Sequence, residues 1–482
     1  MTSTTTPVII QGGMGVDVSS WRLAREVSRR GQLGVVSGTA LDAVLARRLQ
    51  DGDAGGHLRR ALAAFPDQAM AERVLGRYFR DGGRPQGAPY RPNPTLTISP
   101  TPDAVELAVL GTFAHVWLAK EDHDGPVGIN LLEKVQMATP SVLLGAMVAG
   151  VDYVLMGAGI PREVPRLLTG LAAGEPVALT VEVHGSTRPR TTTLDPVALL
   201  GAHLPPLTRP SFLAVVSLPS LAAYLCRDEA TRPDGFVVEG PLAGGHSAPP
   251  RGRLVLDEEG QPVYGARDDA DLAAIARLGL PFWVAGAYST PERVAQARAA
   301  GAAGVQVGSL FALCEESGLT PALRRRLVEE LAAGDLTVLN DPLASPTGFP
   351  FKLALLDGTA SDEAVYAARS RRCDLSYLRQ PYERPDGSVG YRCPGEPVDA
   401  YVRKGGTPDE TTGRKCLCNA LMANVGLGQH RKDGYDEPVA VTLGQDLTGP
   451  RRLLAEHPSG WTAGEAVDWL LSALLEPAAA PA

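Results

Sequence analysis

The chain has 482 residues, of which 44% are hydrophobic and 21% charged, enough for a sizeable core and too apolar for wholesale disorder. Basic residues number 46 against 54 acidic ones, net −8, and the longest basic run is Arg324-Arg325-Arg326. That balance argues against nucleic acid as a partner.

The opening MTSTTTP has neither a charged n-region nor an apolar h-region, so no signal peptide is expected. No apolar run approaches the ~18 residues of a membrane span. The six cysteines do not demand disulfides in a chain of this size. A cytoplasmic protein acting on a small molecule is the simplest expectation.

Taken in order, short apolar, β-branched runs occur at 8–10, 34–37, 127–130, 153–157, 178–184, 212–217, 235–240, 282–287 and 304–309. Amphipathic segments lie between several of them. The 21–30 segment places Leu23 and Val27 on one face. Helices are expected after Thr290-Pro291 and Thr320-Pro321, each a hydroxyl N-cap followed by proline at the first helical position. Strands alternating with helices predict βαβ units and a parallel sheet.

The run 178–184 alternates polar and apolar residues and leads into RPRTTT, so it reads as a half-exposed strand outside the main sheet. The other eight fit a (β/α)8 TIM barrel with an insertion at roughly 40–126; an open doubly wound sheet is the alternative. Residues 310–345 read as helices without strands, and from about 346 the chain is loop-rich. The expected division is 1–345 as the barrel domain with helical additions. The remainder, 346–482, is a loop-rich and helical region packed on it.

Barrel chemistry belongs at the C-terminal ends of the strands. The first run exits into Gln11-Gly12-Gly13-Met14, whose glycines let the backbone approach a flat ligand. The third ends at Asn130, an amide able to donate and accept. The seventh gives Glu239-Gly240, then Pro241-Leu242-Ala243-Gly244-Gly245-His246, which lifts a histidine to the barrel mouth. The last two end in Gly286 and in Gln306-Val307-Gly308-Ser309. Two successive small-residue strand ends, the second with a hydroxyl at a helix start, fit the phosphate site of such barrels.

IIQGGMG, VGIN, VVEGPLAGGH, VAGA and GVQVGS, in that order, resemble the FMN-dependent nitronate monooxygenase (2-nitropropane dioxygenase) family. That superfamily also holds flavin-dependent enoyl-acyl-carrier-protein reductases. The likeness spans about residues 7–315. It implies a barrel holding non-covalent FMN, with Gly13 and Met14 against the isoalloxazine ring. Asn130 would hydrogen-bond the flavin, and Glu239 and Gly244 would line its site. Gly286, Gln306, Val307, Gly308 and Ser309 would hold the phosphate end, and His246 would match the catalytic histidine.

Gly13 and Glu239 depart from many nitronate monooxygenases and look closer to the reductase branch. The implied activity is oxidation of nitronates or nitroalkanes with O2 to a carbonyl compound and nitrite. In it His246, at a near-neutral pKa, takes the α-proton. The alternative is enoyl thioester reduction, with acyl carrier protein as a partner. A non-catalytic flavin-binding role is the third reading.

Cys373, Cys393, Cys416 and Cys418 fall in one polar segment, but Cys-x-Cys is tighter than the usual metal spacing, so no metal is assigned. Lys415 beside Cys416 would lower its pKa.

Overall fold

A computed structural model describes residues 6–475. Eight parallel strands form one sheet: β1 (Ile9–Gln11), β2 (Gly34–Ser37), β3 (Val127–Leu132), β4 (Tyr153–Gly157), β5 (Ser211–Val216), β6 (Gly235–Glu239), β7 (Phe282–Ala285) and β8 (Gly304–Val307). From β2 to β8 each strand pairs with its neighbours in sequence, and β1 pairs with β8. The ring closes between β1 and β2 through Gln11 N donating to Leu33 O at 2.9 Å and Leu33 N donating to Ile9 O at 3.0 Å. The fold is a (β/α)8 barrel.

Inside it, Ile10, Leu33, Val35, Leu155, Leu213, Val237, Trp283 and Ala285 form a cluster of their own. Trp283 is the bulkiest of them, and its Nε1 donates to Pro7 O at 2.8 Å. Gly128 of β3 leaves room: a Cβ there would stand 3.2 Å from Leu155 and 3.3 Å from Val35. A side chain at this position would therefore press on the barrel interior.

Helices cover the outside, some burying one stripe and others, such as Thr139–Val148, buried almost all round. Trp21–Arg29 buries Leu23 and Val27. Thr290 and Thr320 cap their helices as expected, accepting from Arg293 N and Leu323 N, with proline first in each helix. The insertion before β3 holds several helices, the longest Pro102–Lys120. Outside the barrel, Val177–Val181 pairs antiparallel with Arg190–Leu194, the placement expected of that alternating segment.

One expectation fails. Residues 310–345 are not strand-free: Val338–Asp341 pairs antiparallel with Phe351–Ala354. The strand is four residues long and ends in Asn-Asp, so its own pattern is weak; its partner lies beyond residue 345 and completes it. This hairpin runs across residue 345. Later parts of the chain also enter the main core. Trp461 is fully buried and donates to Leu310 O at 3.0 Å. The helix Ala463–Leu475 packs on Trp21–Arg29 and Pro291–Ala299.

Candidate active site

At the C-terminal ends of the strands lies a cavity of about 230 Å³. Gly13, Met14, Asn130, Glu239, Gly244, His246, Gly286, Gln306, Val307, Gly308 and Ser309 all line it. The structure therefore brings together every residue that the resemblance assigns to the site.

The turn after β1 is pinned from below. Gln11 is buried; its Oε1 accepts from Val35 N at 2.9 Å, and its Nε2 donates to Ser19 Oγ at 2.8 Å. Ser19 Oγ accepts from Met14 N at 2.8 Å and donates to Gly12 O at 2.8 Å. Asn130 packs directly on the turn: a Cβ on Gly13 would come within 2.2 Å of Asn130 Cβ. Gly13 is thus required by this close approach.

Across the cavity, Gly286 has φ +90°, a conformation that glycine adopts freely, and a Cβ there would stand 3.1 Å from Ala243 N. Around Gly308 there is space; an added Cβ would meet only Met14, its Sδ at 3.6 Å. The helix expected at Ser309 is a single turn, Ser309–Ala312. Ser309 Oγ accepts from Gly444 N at 2.7 Å, which leaves its own proton free to donate.

Gly444 belongs to a part of the chain with no strand-end signal. The segment around it lies over β6's exit loop. Gly245 N donates to Thr442 Oγ1 at 2.9 Å, and Gln445 N donates to Leu242 O at 3.0 Å. Gly244 is a glycine because of this strap: a Cβ would stand 2.9 Å from Gly444 N. Phe351, Tyr377, Leu378, Leu417, Cys418 and Leu421 complete the wall.

His246 is partly buried. Its Nε2 shares a hydrogen bond with Ser345 Oγ at 2.7 Å, and its ring meets Phe351 edge-on at 4.9 Å. Burial pushes the imidazole down to about 4, which corrects the near-neutral value expected. His246 is therefore neutral at physiological pH.

Glu239 and Lys352 form a second charged element. Lys352, on the strand Phe351–Ala354, is fully buried, and its Nζ donates to Ser247 Oγ at 2.8 Å. Burial raises the Glu239 carboxyl to about 7 and lowers the Lys352 ammonium to about 7, while each pulls the other back toward its charged form. Nothing in the local sequence marks Lys352: it lies in a short strand among apolar neighbours.

Among the described residues, no group of three or more His, Cys, Asp or Glu side chains is placed to hold a metal ion. Burial raises the Cys416 thiol well above its ordinary value and so overrides the Lys415 effect expected from sequence. Nor is any described helix long and apolar enough to cross a membrane.

Residues 207–343 match the family profile described as nitronate monooxygenase. That segment carries β5 to β8, with Glu239, His246 and both small-residue strand ends, and it agrees with the resemblance found in the motifs. On this match the chain is an oxidoreductase. No curated protein matches it. Among solved structures it is similar to FabK from Thermotoga maritima, at 16% identity over 97% of this chain and 93% of that one, TM-score 0.46. A nitroalkane oxidase from Streptomyces ansochromogenes gives 15% identity over 98% and 96%, TM-score 0.44. The enoyl reductase domain of MlnA from Bacillus amyloliquefaciens gives 11% identity over 97% and 94%, TM-score 0.46. Likenesses at this level decide neither substrate nor reaction.

Proposed function

We propose that this chain is a cytoplasmic enzyme that binds FMN without a covalent link. Its reaction is oxidation of alkyl nitronates and nitroalkanes with O2 to a carbonyl compound and nitrite. The observation that carries the reading is the neutral His246 in the wall of a cavity whose family match covers the same segment.

The cavity's polar atoms fit such a cofactor. Gln306 and Ser289 line the cavity, and beside Gly308 it is open: a Cβ added there would meet only Met14, so the wall leaves room for a ligand group at that strand end. Gly13, Met14 and Asn130 would hold the ring. The backbone at Gly286 and Gly308, with the Ser309 hydroxyl, would hold the phosphate. When bound, the flavin supplies the electron-transfer chemistry. The chain's own residues position and move a proton: His246 takes the α-proton of a neutral nitroalkane, and the apolar wall above it excludes water.

The test is His246→Ala. A positioned general base contributes ~10²–10⁴-fold, so activity on neutral nitroalkanes should fall by that order while FMN is retained. A preformed nitronate has no proton to lose, and its turnover should fall much less. Equal losses on both would make His246 a support for substrate or flavin. Reduction of an enoyl thioester by NAD(P)H, without nitronate oxidation, would replace this reading with the reductase one and bring in acyl carrier protein.

A further inference from the structure

Tyr377 lines three cavities at once. One is the main cavity. The other two are small, about 20 Å³ each, and both are also lined by Leu96, Val135 and Ala138. The nearer of them shares Thr39, Leu131 and Leu132 with the main cavity, so Tyr377 stands where the two meet. At about 20 Å³ it has room for roughly one water-sized group.

The ring is held in place. Its hydroxyl donates to Asp42 Oδ1 at 2.5 Å, and Asp42 is buried in the first turn of the helix Leu41–Gln50. On the main-cavity side, the wall next to Tyr377 in the chain is Leu378, with Leu417 and Leu421 from the helix Leu417–Asn424. These side chains offer carbon surface and no charge. An aliphatic tail lying on them is stabilised by burial alone, without a directional partner.

We propose that Tyr377 sets the length limit for an unbranched alkyl tail on the molecule this site acts on. The proposal rests on the oxidoreductase reading only for which end of that molecule reacts. The tail runs along the aliphatic wall and stops against the ring. Behind the ring, the space among Asp42, Leu96, Val135 and Ala138 is closed to it by the ring itself.

The test uses binding, with primary alkanols from ethanol to decanol as unreactive probes, measured by calorimetry on the full-length holoprotein. In the wild type, affinity should rise about fourfold per added methylene and then stop rising at a definite length. Tyr377→Ala, or Tyr377→Leu as the milder cut, should move that stop outward by at least one carbon. Tyr377→Phe keeps the ring and loses the Asp42 bond; its stop should match the wild type. Leu96→Trp fills the space behind the ring, so Leu96→Trp with Tyr377→Ala should return the stop to the wild-type length. An unchanged stop in both Tyr377→Ala and Tyr377→Leu, an equal shift in Tyr377→Phe, or no length dependence in the wild type would overturn the proposal. A protein that shows the full alkanol pattern yet oxidises no nitronate would sink the reaction reading and leave the role of Tyr377 standing.

Discussion

His246 depends on the side chains around it for its protonation state. Among the described residues no carboxylate hydrogen-bonds it; its partner is the Ser345 hydroxyl, and Phe351 covers its ring. Burial lowers its pKa from 6.5 to about 4. The folded form therefore resists a proton that the unfolded chain takes up near 6.5. Above that pH both states are neutral and the group contributes nothing to pH dependence. As pH falls from about 6.5 toward 4, the unfolded state gains protons first and stability drops. Denaturant melts across this window should show the drop in wild type and a shallower one in His246→Ala. An identical slope in both would place the titration elsewhere. In the proposed reaction the same shift would keep His246 unprotonated at neutral pH, with the acid limb near 4.

Glycine roles separate at the level of loops and strands. Gly308 opens onto the cavity and a Cβ there would touch only Met14, whereas a Cβ on Gly244 would strike the backbone of the strap at Gly444. Gly308→Leu should therefore fold yet purify colourless, because its side chain would occupy the space proposed for the phosphate; absorbance and circular dichroism on the same sample read both. Full FMN content in that variant would refute the phosphate assignment.

The strand ends were legible because β-branched runs closing in Gly, Asn or Glu have few other uses in a parallel barrel. The strap was not. Thr442, Gly444 and Tyr377 sit in irregular segments whose meaning comes from contacts with the loop after β6, with Ser309 after β8 and with the helix Leu41–Gln50, distant in sequence. The strand Val338–Asp341 was missed for the same reason: its partner, Phe351–Ala354, makes it a strand. The pKa of His246 was likewise hidden, since Phe351 and Ser345 that enclose it come from this later part of the chain.

Across the whole molecule, barrel and C-terminal residues share the largest buried cluster, beside which Phe351, Leu353, Leu417 and their neighbours form only a small one of their own. Leu443, Leu453, Trp461 and Leu470 belong to the same buried cluster as the helices on the barrel. A region that buries its apolar side chains on a neighbour has little core of its own to fold around. Limited proteolysis should therefore release no stable, folded 346–482 fragment; recovery of one with a cooperative melt would show that the region folds apart. The site is divided in the same way, with Gly13, Asn130 and Ser309 from the barrel and Phe351, Tyr377 and Gly444 from beyond it. The most direct measurement on this composite site is anaerobic titration of the purified protein with ethyl nitronate, followed by admission of O2. Bleaching of the oxidised-flavin absorbance, restored by O2 with release of nitrite, is the predicted result. A spectrum indifferent to nitronate, bleached by NAD(P)H and restored by an enoyl thioester, would contradict it.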